Sequence, residues 1–354
     1  MRELLSGERG FESDNCSGVH PRIMRALQEV NYGHASAYGY DPVTAEAKEL
    51  FNRLFDREVD IFFAMNGTGA NCAALAHVIK PYQAIICAGS AHINRAETCA
   101  PERIAGGKLI GMPAVLGKIK PETLLELVSE WQSEHVALPA VLSLTQATDE
   151  GAVYKPEELK ELCSIAHSHG MKVHMDGARL ANAVVACGGD LKGITWEAGV
   201  DLLTFGGTKN GLMFGEAIVF FDRTLSNFFK YSRKSCGQLY SKMRFIAAQF
   251  IEALKDGLWL EMAGHANAMA LRLYEGMKKS PSFRVPYKPE ANELFAYVNQ
   301  EIRAKLNERY IFLNFGPEPG MSRFVTSFDT KPEDIDEFLA YAEQLRGACN
   351  GEHT

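Results

Sequence analysis

The sequence predicts an α/β protein whose main domain is a mostly parallel sheet covered by helices on both faces. Three observations carry this. Short runs that are apolar throughout, rather than alternating, recur along the first two-thirds of the chain, as strands buried on both faces require. Helical stretches separate these runs, as parallel strands need. The 354 residues suffice for one large core or two unequal domains.

The elements follow in order. Val59–Met65 reads as a buried strand, followed by Asn66-Gly67-Thr68-Gly69 and an Ala-rich helix from about Asn71 to Ile79. Gln83–Cys87 and Pro139–Thr145 read as strands two and three. Pro156 suits the first turn of a helix running to His169, with Gly170 placed as its C′ residue. Met171–Asp176, Val200–Phe205 and Ala217–Phe221 are strands four to six. The tail changes character. A long helical stretch, Phe245–Lys279, precedes strand-like runs at Asn292–Val298, Tyr310–Phe315 and Phe324–Phe328, and a last helix runs from Pro332 to about Arg346. This α+β pattern predicts a smaller C-terminal domain, giving a large domain over 16–245 and a small one over 246–354 with 1–15.

Composition narrows the function. A net charge of −7 without clustered Lys and Arg argues against nucleic-acid binding. No apolar run approaches the roughly 18 residues of a membrane span. Met1–Gly7 has no long apolar stretch, so a signal peptide is not expected. The eight cysteines (16, 72, 87, 99, 163, 187, 236 and 349) include no Cys-x-x-Cys pair and read as reduced thiols of a cytoplasmic protein.

In open α/β sheets ligands bind at the carboxyl ends of the strands, and four such ends carry chemistry here. Gly67-Thr68-Gly69 opens a helix, where free N–H groups and the positive end of the helix dipole suit a phosphate. It matches neither GxGxxG nor a Walker A sequence, so no nucleotide is indicated. His92 follows the second strand. Asp176 ends the fourth; a carboxylate there needs a cationic partner, which a pyridinium N–H⁺ or Arg179 would each supply. Lys209 stands four residues past the fifth strand in Gly206-Gly207-Thr208-Lys209-Asn210-Gly211, suited to Schiff-base chemistry, although alone it would read as a solvated turn lysine. Together they meet the needs of pyridoxal 5′-phosphate: an anchored phosphate, a clamped ring, a protonated ring nitrogen and a captured aldehyde.

On these residues the sequence resembles the low-specificity L-threonine aldolases of the β-eliminating lyase family, over roughly residues 11–250 and again near the C-terminus. The matching pieces are Phe11–Asn15, Tyr38-Gly39-Tyr40-Asp41-Pro42, Asn66–Asn71, Ala91-His92-Ile93, His174–Ala183, Thr208-Lys209 and Arg323-Phe324-Val325. The run Asp176-Gly177-Ala178-Arg179-Leu180-Ala181-Asn182-Ala183 is the most specific. The resemblance implies the pyridoxal-phosphate fold type I of aspartate aminotransferase. It also implies cleavage of L-threonine, L-allo-threonine or a related β-hydroxy-α-amino acid to glycine and an aldehyde. The alternative is another reaction on the same scaffold: β-elimination, transamination or racemisation.

The resemblance further implies roles. Lys209 holds the cofactor, Asp176 pairs with its ring nitrogen, Gly67 and Thr68 bind its phosphate, His92 stacks on its ring, and Thr208 and Arg179 are also implied to bind the cofactor. Ser13, Arg179 and Arg323 hold the substrate carboxylate or the ring hydroxyl, Arg323 because its planar fork suits a carboxylate, and Tyr38 lines the substrate. His92 is also the first candidate for the base that takes the β-hydroxyl proton, a stacking role alone being the alternative. A homo-oligomer, a dimer of dimers, is implied as well, with Tyr38 reaching across an interface and the basic segment Lys230–Gln238 touching a neighbour's cofactor phosphate. Two departures stand out. Thr148 occupies a position where the family often has His, and Asn210-Gly211-Leu212-Met213 replaces the usual sequence after the lysine. His167, His169 and His174 are expected to be structural rather than metal ligands, because their spacing points them in different directions.

Overall fold

The computed structural model describes residues 10–130 and 133–351, and the chain divides into two compact units, Val19–Leu260 and Met1–Gly18 with Glu261–Thr354. Met1–Gly7, on which the signal-peptide expectation rests, lies outside the described residues.

The larger unit holds seven strands: β1 (Asp60–Ala64), β2 (Gln83–Ala88), β3 (Lys108–Met112), β4 (Leu138–Thr145), β5 (Lys172–Gly177), β6 (Leu202–Gly206) and β7 (Glu216–Phe220). Their order is β1-β7-β6-β5-β4-β2-β3. All pairs from β6 through β3 are parallel, while β7 runs antiparallel to both of its neighbours. The sheet is therefore mostly parallel, with one reversed strand near an edge. β5 and β6, at its centre, are buried almost end to end, as continuous apolar runs require.

Both faces are covered. Successive residues of β1 point opposite ways. Phe62 packs edge-on against Phe220 and Phe229. Phe63 meets Phe51 of the helix Pro42–Phe55 and Phe250 of the helix Arg244–Leu254. The turn chemistry holds too: Pro156 opens the helix Pro156–Ser168, and Gly170 beyond its end has φ +72°. Among the described residues no helix is long and apolar enough to cross a membrane. The seven cysteines with described side chains are all free thiols.

The smaller unit has the antiparallel sheet β10 (Met321–Val325), β9 (Glu293–Val298), β8 (Phe283–Arg284). Its core gathers Phe11, Leu273, Phe283, Phe312, Phe324 and Phe338. Phe11 is tied in by backbone bonds to Ile311 and Val325.

Three expectations need correction. Lys108–Met112 is a strand that was not anticipated: it is short, contains Gly111 and lies at the sheet edge, so its pattern is weak. Tyr310–Phe315 is not a strand; only Leu313 bridges, to Arg323, and Phe283–Arg284 takes the third place in the small sheet. The stretch from 245 to 279 is two helices, broken at Lys255–Gly257, where Asp256 and Gly257 adopt φ of 54° and 74°.

Candidate active site

Five of the strand ends that carry polar residues lie at one edge of the large sheet, because β1, β2, β4, β5 and β6 run the same way; β7, running back, begins there. The register fixes neighbours: Thr145, Asp176 and Thr204 lie side by side, as do Gly206, Glu216 and Ala64.

Beyond β1 the helix Gly67–Val78 begins with Asn66 as N-cap, whose Oδ1 accepts from Gly69 N at 2.8 Å. Ala70 N is taken by the Asn66 carbonyl. Helix geometry leaves the N–H groups of Gly67 and Thr68 without intrahelical acceptors. A Cβ on Gly67 would meet nothing within 4 Å, so the turn is open to approach there. Gly69 is the opposite case: a Cβ would lie 2.1 Å from Gln238 Nε2, and that side chain is held by accepting from Met65 N at 3.0 Å.

Asp176 is buried, with Oδ1 accepting from Ala178 N at 3.0 Å and Oδ2 from Asn71 Nδ2 at 2.9 Å. The same amide reaches Glu97 Oε1 at 3.3 Å, and Glu97 Oε1 also receives His92 Nδ1 at 2.8 Å. Four residues from three separate segments thus form one chain, His92–Glu97–Asn71–Asp176. Glu97 Oε2 and Asn71 Oδ1 are buried with no hydrogen-bond partner in the protein, which marks the spot as one built to receive a further polar group. The bond from Glu97 raises the His92 pKa above its ordinary value, against the opposing effect of burial; the charge of Asp149, whose Oδ2 accepts from His92 N, raises it further, and Lys209 opposes.

Lys209 follows β6 on a loop clasped by Glu216. Gly207 N donates to Glu216 Oε2 at 2.9 Å and Thr208 Oγ1 to Glu216 Oε1 at 2.8 Å, while Thr208 Oγ1 accepts from Gly215 N. Burial pushes the Glu216 carboxyl up to about 7, against those two bonds and the charge of Lys209. Lys209 therefore acts electrostatically on both His92 and Glu216, and Asp176 acts on Glu216. The residues expected to hold a ring, its nitrogen and its aldehyde converge on one cluster of charges.

Other expected residues take their own places. Arg179 is buried directly before the helix Leu180–Ala186. Tyr38, at φ 60°, is exposed and lines a pocket of about 270 Å³ with Tyr40, Lys48, Lys230 and Arg233. In the smaller unit Arg323 lies 3.5 Å from Glu293 Oε1 and donates to the carbonyl of Glu12, the residue before Ser13. Thr148 is buried and donates to the Leu116 carbonyl. The three histidines set aside above have separate partners: His167 has Asp201, His169 the Ile165 carbonyl, and His174 Ser143 and Thr204.

Sequence reasoning missed Glu97 and Glu216. Glu97 is an acid in a segment whose neighbours Asn94, Arg95 and Thr98 are exposed. The one available signal for Glu216 was its place between a glycine and an unbroken apolar run.

Known proteins share this sequence pattern and fold. The model of the family described as beta-eliminating lyase matches residues 10–301. The chain is 41% identical over 340 residues to the low specificity L-threonine aldolase of Pseudomonas aeruginosa, covering 96% of this chain and 98% of that one. It is 30% identical over 350 residues to the enzyme of that name from Escherichia coli K12, covering 94% and 97%. Among solved structures, a threonine aldolase of Leishmania major superposes with a TM-score of 0.90 at 29% identity, covering 95% of this chain and 99% of that one.

Proposed function

The chain belongs to the beta-eliminating lyase family, and from that premise we propose that it is a pyridoxal 5′-phosphate-dependent aldolase. It cleaves L-threonine, L-allo-threonine or a related β-hydroxy-α-amino acid to glycine and an aldehyde. The observation that carries the proposal is the hydrogen-bonded chain His92–Glu97–Asn71–Asp176 at the sheet edge where the Lys209 loop, fixed by Glu216, also begins.

The residues fit this cofactor. Gly67 and Thr68 offer unpaired N–H groups for a phosphate at a helix N-terminus. Asp176, its oxygens fixed by Ala178 N and Asn71 Nδ2, is the partner for a ring nitrogen. The unpartnered oxygens of Asn71 and Glu97 favour a polar ligand over an apolar one. When bound, pyridoxal phosphate supplies a protonated pyridine ring that takes up the electron pair released from the substrate's Cα–Cβ bond.

The protein's part is to position groups and move protons. Lys209 is the residue that would hold the cofactor covalently. Asp176 holds the proton on the ring nitrogen. Because Nδ1 of His92 faces Glu97, its Nε2 is the nitrogen left to accept the β-hydroxyl proton. Thr208 donates a hydrogen bond from its hydroxyl to Glu216, so its proposed contribution to cofactor holding is to fix the loop that carries Lys209. In the smaller unit, Arg323 and Ser13 are the proposed carboxylate binders, the buried Arg323 Nε having no partner in the protein, and in the larger unit Arg179 is proposed to bind the cofactor. Tyr38 is proposed to line the substrate.

A cytoplasmic homotetramer, a dimer of dimers, completes the proposal. It is supported by the large exposed rings of Tyr32, Tyr40, Phe228 and Tyr231, which a free monomer would leave in water. Product analysis tests the activity: glycine and acetaldehyde from L-threonine support the aldolase, whereas pyruvate and ammonia from serine without aldehyde release would shift the reading to β-elimination.

A further inference from the structure

In the smaller unit, the register of β9 and β10 puts a buried acid beside the arginine proposed to bind the substrate carboxylate. Arg323 pairs directly with Phe295, so Glu293, two residues earlier on β9, lies diagonally from it on the same face of the sheet, within reach of a long side chain. The opposite face, with Leu294, Ala296, Val298 and Phe324, builds the small core. The Glu293 side chain is fully buried, and its Oε1 lies 3.5 Å from Arg323 Nη1. Two further contacts restrain the guanidinium. Nη2 donates to the Glu12 carbonyl at 3.2 Å, on a segment that the Phe11 carbonyl ties to Val325 N. The Phe315 ring lies beside it, with Cζ 5.5 Å from the ring centroid. The arginine side chain still keeps 14% of its surface exposed. The residue before Glu293 ties down the segment of the other carboxylate binder. Asn292 Nδ2 donates to Asp14 Oδ2 at 3.1 Å, and Ser13 Oγ donates to Asp14 Oδ1 at 3.4 Å.

We propose that Glu293 is a positioning residue that fixes the Arg323 guanidinium for the substrate carboxylate through the 3.5 Å ion pair between them. This rests on the reading of Arg323 as a carboxylate binder. A fully buried carboxylate is costly to keep, and an apolar side chain at that place would complete the strand without the cost. What the acid adds is a directed contact. An arginine side chain has several rotatable bonds, and one left unrestrained must be ordered when a ligand binds, which weakens binding. With Glu293 at Nη1, the Glu12 carbonyl at Nη2 and Phe315 beside Cζ, that ordering is complete before substrate arrives. A guanidinium grips a carboxylate through its planar fork, so the direction of the fork decides the fit. The substrate carboxylate takes no part in breaking the Cα–Cβ bond. Its binding therefore serves ground state and transition state alike, and a loss of orientation appears in KM rather than in kcat.

The test is a double-mutant cycle on the full-length, cofactor-loaded protein. Spectral titration with glycine gives a Kd without turnover, and L-threonine kinetics give KM and kcat. Glu293→Gln raises the glycine Kd and the L-threonine KM by roughly three- to tenfold, for one long side chain that must now be ordered on binding, while kcat stays within about twofold of wild type. Arg323→Gln raises the glycine Kd at least as far, and adding Glu293→Gln to it raises Kd no further, because the group through which Glu293 acts is gone. Unchanged binding in Glu293→Gln overturns the proposal. Tighter binding overturns it too, since Glu293 would then be a competing charge rather than a guide. So does an effect that persists undiminished in the Arg323→Gln background, the mark of a general structural role. If Arg323→Gln itself leaves Kd unchanged, the reading of Arg323 fails and the proposal falls with it. If Arg323→Gln weakens glycine binding and Glu293→Gln does not, only the role of Glu293 fails. Should Glu293→Gln fold poorly, Glu293→Asp keeps the charge and withdraws it by one methylene. A smaller rise in Kd with kcat unchanged is then expected, and an unchanged Kd overturns the proposal.

Discussion

Asn71 and Asp176, 105 positions apart in sequence, are joined by a 2.9 Å hydrogen bond from the Asn71 side-chain amide to Asp176 Oδ2. The amide also reaches Glu97, so one side chain keeps two buried carboxylates supplied with a donor. Replacing Asn71 by Ala leaves Asp176 with only Ala178 N and Glu97 with only His92 Nδ1. The expected cost is about 1–3 kcal/mol of stability from the unsatisfied groups. Pyridoxal phosphate should also bind more weakly, because Asp176 loses the donor that orients it. Denaturant midpoints and cofactor titration followed by protein fluorescence check the two effects separately.

Glu97 sets the titration of His92. The hydrogen bond from Nδ1 to Glu97 raises the histidine's folded pKa above its unfolded value. The stability that this pair contributes is therefore fully present below about 6.5 and is lost as pH rises through the raised value. With His92 as the base, the acidic limb of kcat/KM follows its deprotonation. In Glu97→Gln that limb moves to lower pH while activity on the plateau falls. A pH–rate profile that keeps its acidic limb in place would detach His92 from the proton transfer.

Gly69 is required by contact rather than by backbone conformation. A Cβ there would overlap the Gln238 amide, which is itself tied to Met65 N. Gly69→Ala is expected to cost about 1–3 kcal/mol, the range for overpacking a tight site, and to weaken cofactor binding through the displaced turn. Gly69→Ala with Gln238→Ala restores the space but not the Met65 bond. Its cofactor affinity should recover more than its stability does, which paired melting and cofactor-titration curves will show.

Lys209→Ala removes the proposed attachment point but leaves the Glu216 clasp on Gly207 and Thr208 in place. The variant should melt close to wild type, lack the visible absorbance of a lysine-bound cofactor and produce no glycine from L-threonine. Retained absorbance and turnover would contradict the scheme.

Much of this was legible in the sequence, for identifiable reasons. β5 and β6 are buried on both faces, so their apolar runs were unbroken, and the polar residues that ended them, Asp176 and the Gly-Thr-Lys loop, stood out. β3 was not legible because an edge strand of five residues with a glycine carries little pattern. Tyr310–Phe315 was apolar for another reason: Tyr310 and Phe312 feed the small core from an irregular segment. The break at Asp256-Gly257 was hidden by apolar periodicity continuing through both helices. At the site, the residues proposed to face the cofactor stand out by their chemistry. Glu97, Asn71 and Glu216, which orient them, emerged only from the geometry, since an acid's burial depends on partners far away in the chain.

Borohydride reduction of the purified, cofactor-loaded protein, followed by peptide mass spectrometry, tests the central claim most directly. The account predicts a single pyridoxyl-phosphate adduct on the peptide containing Lys209, in a preparation that converts L-threonine to glycine and acetaldehyde before reduction and has lost that activity after it. An adduct on a different lysine, or full activity with no adduct at all, would contradict it.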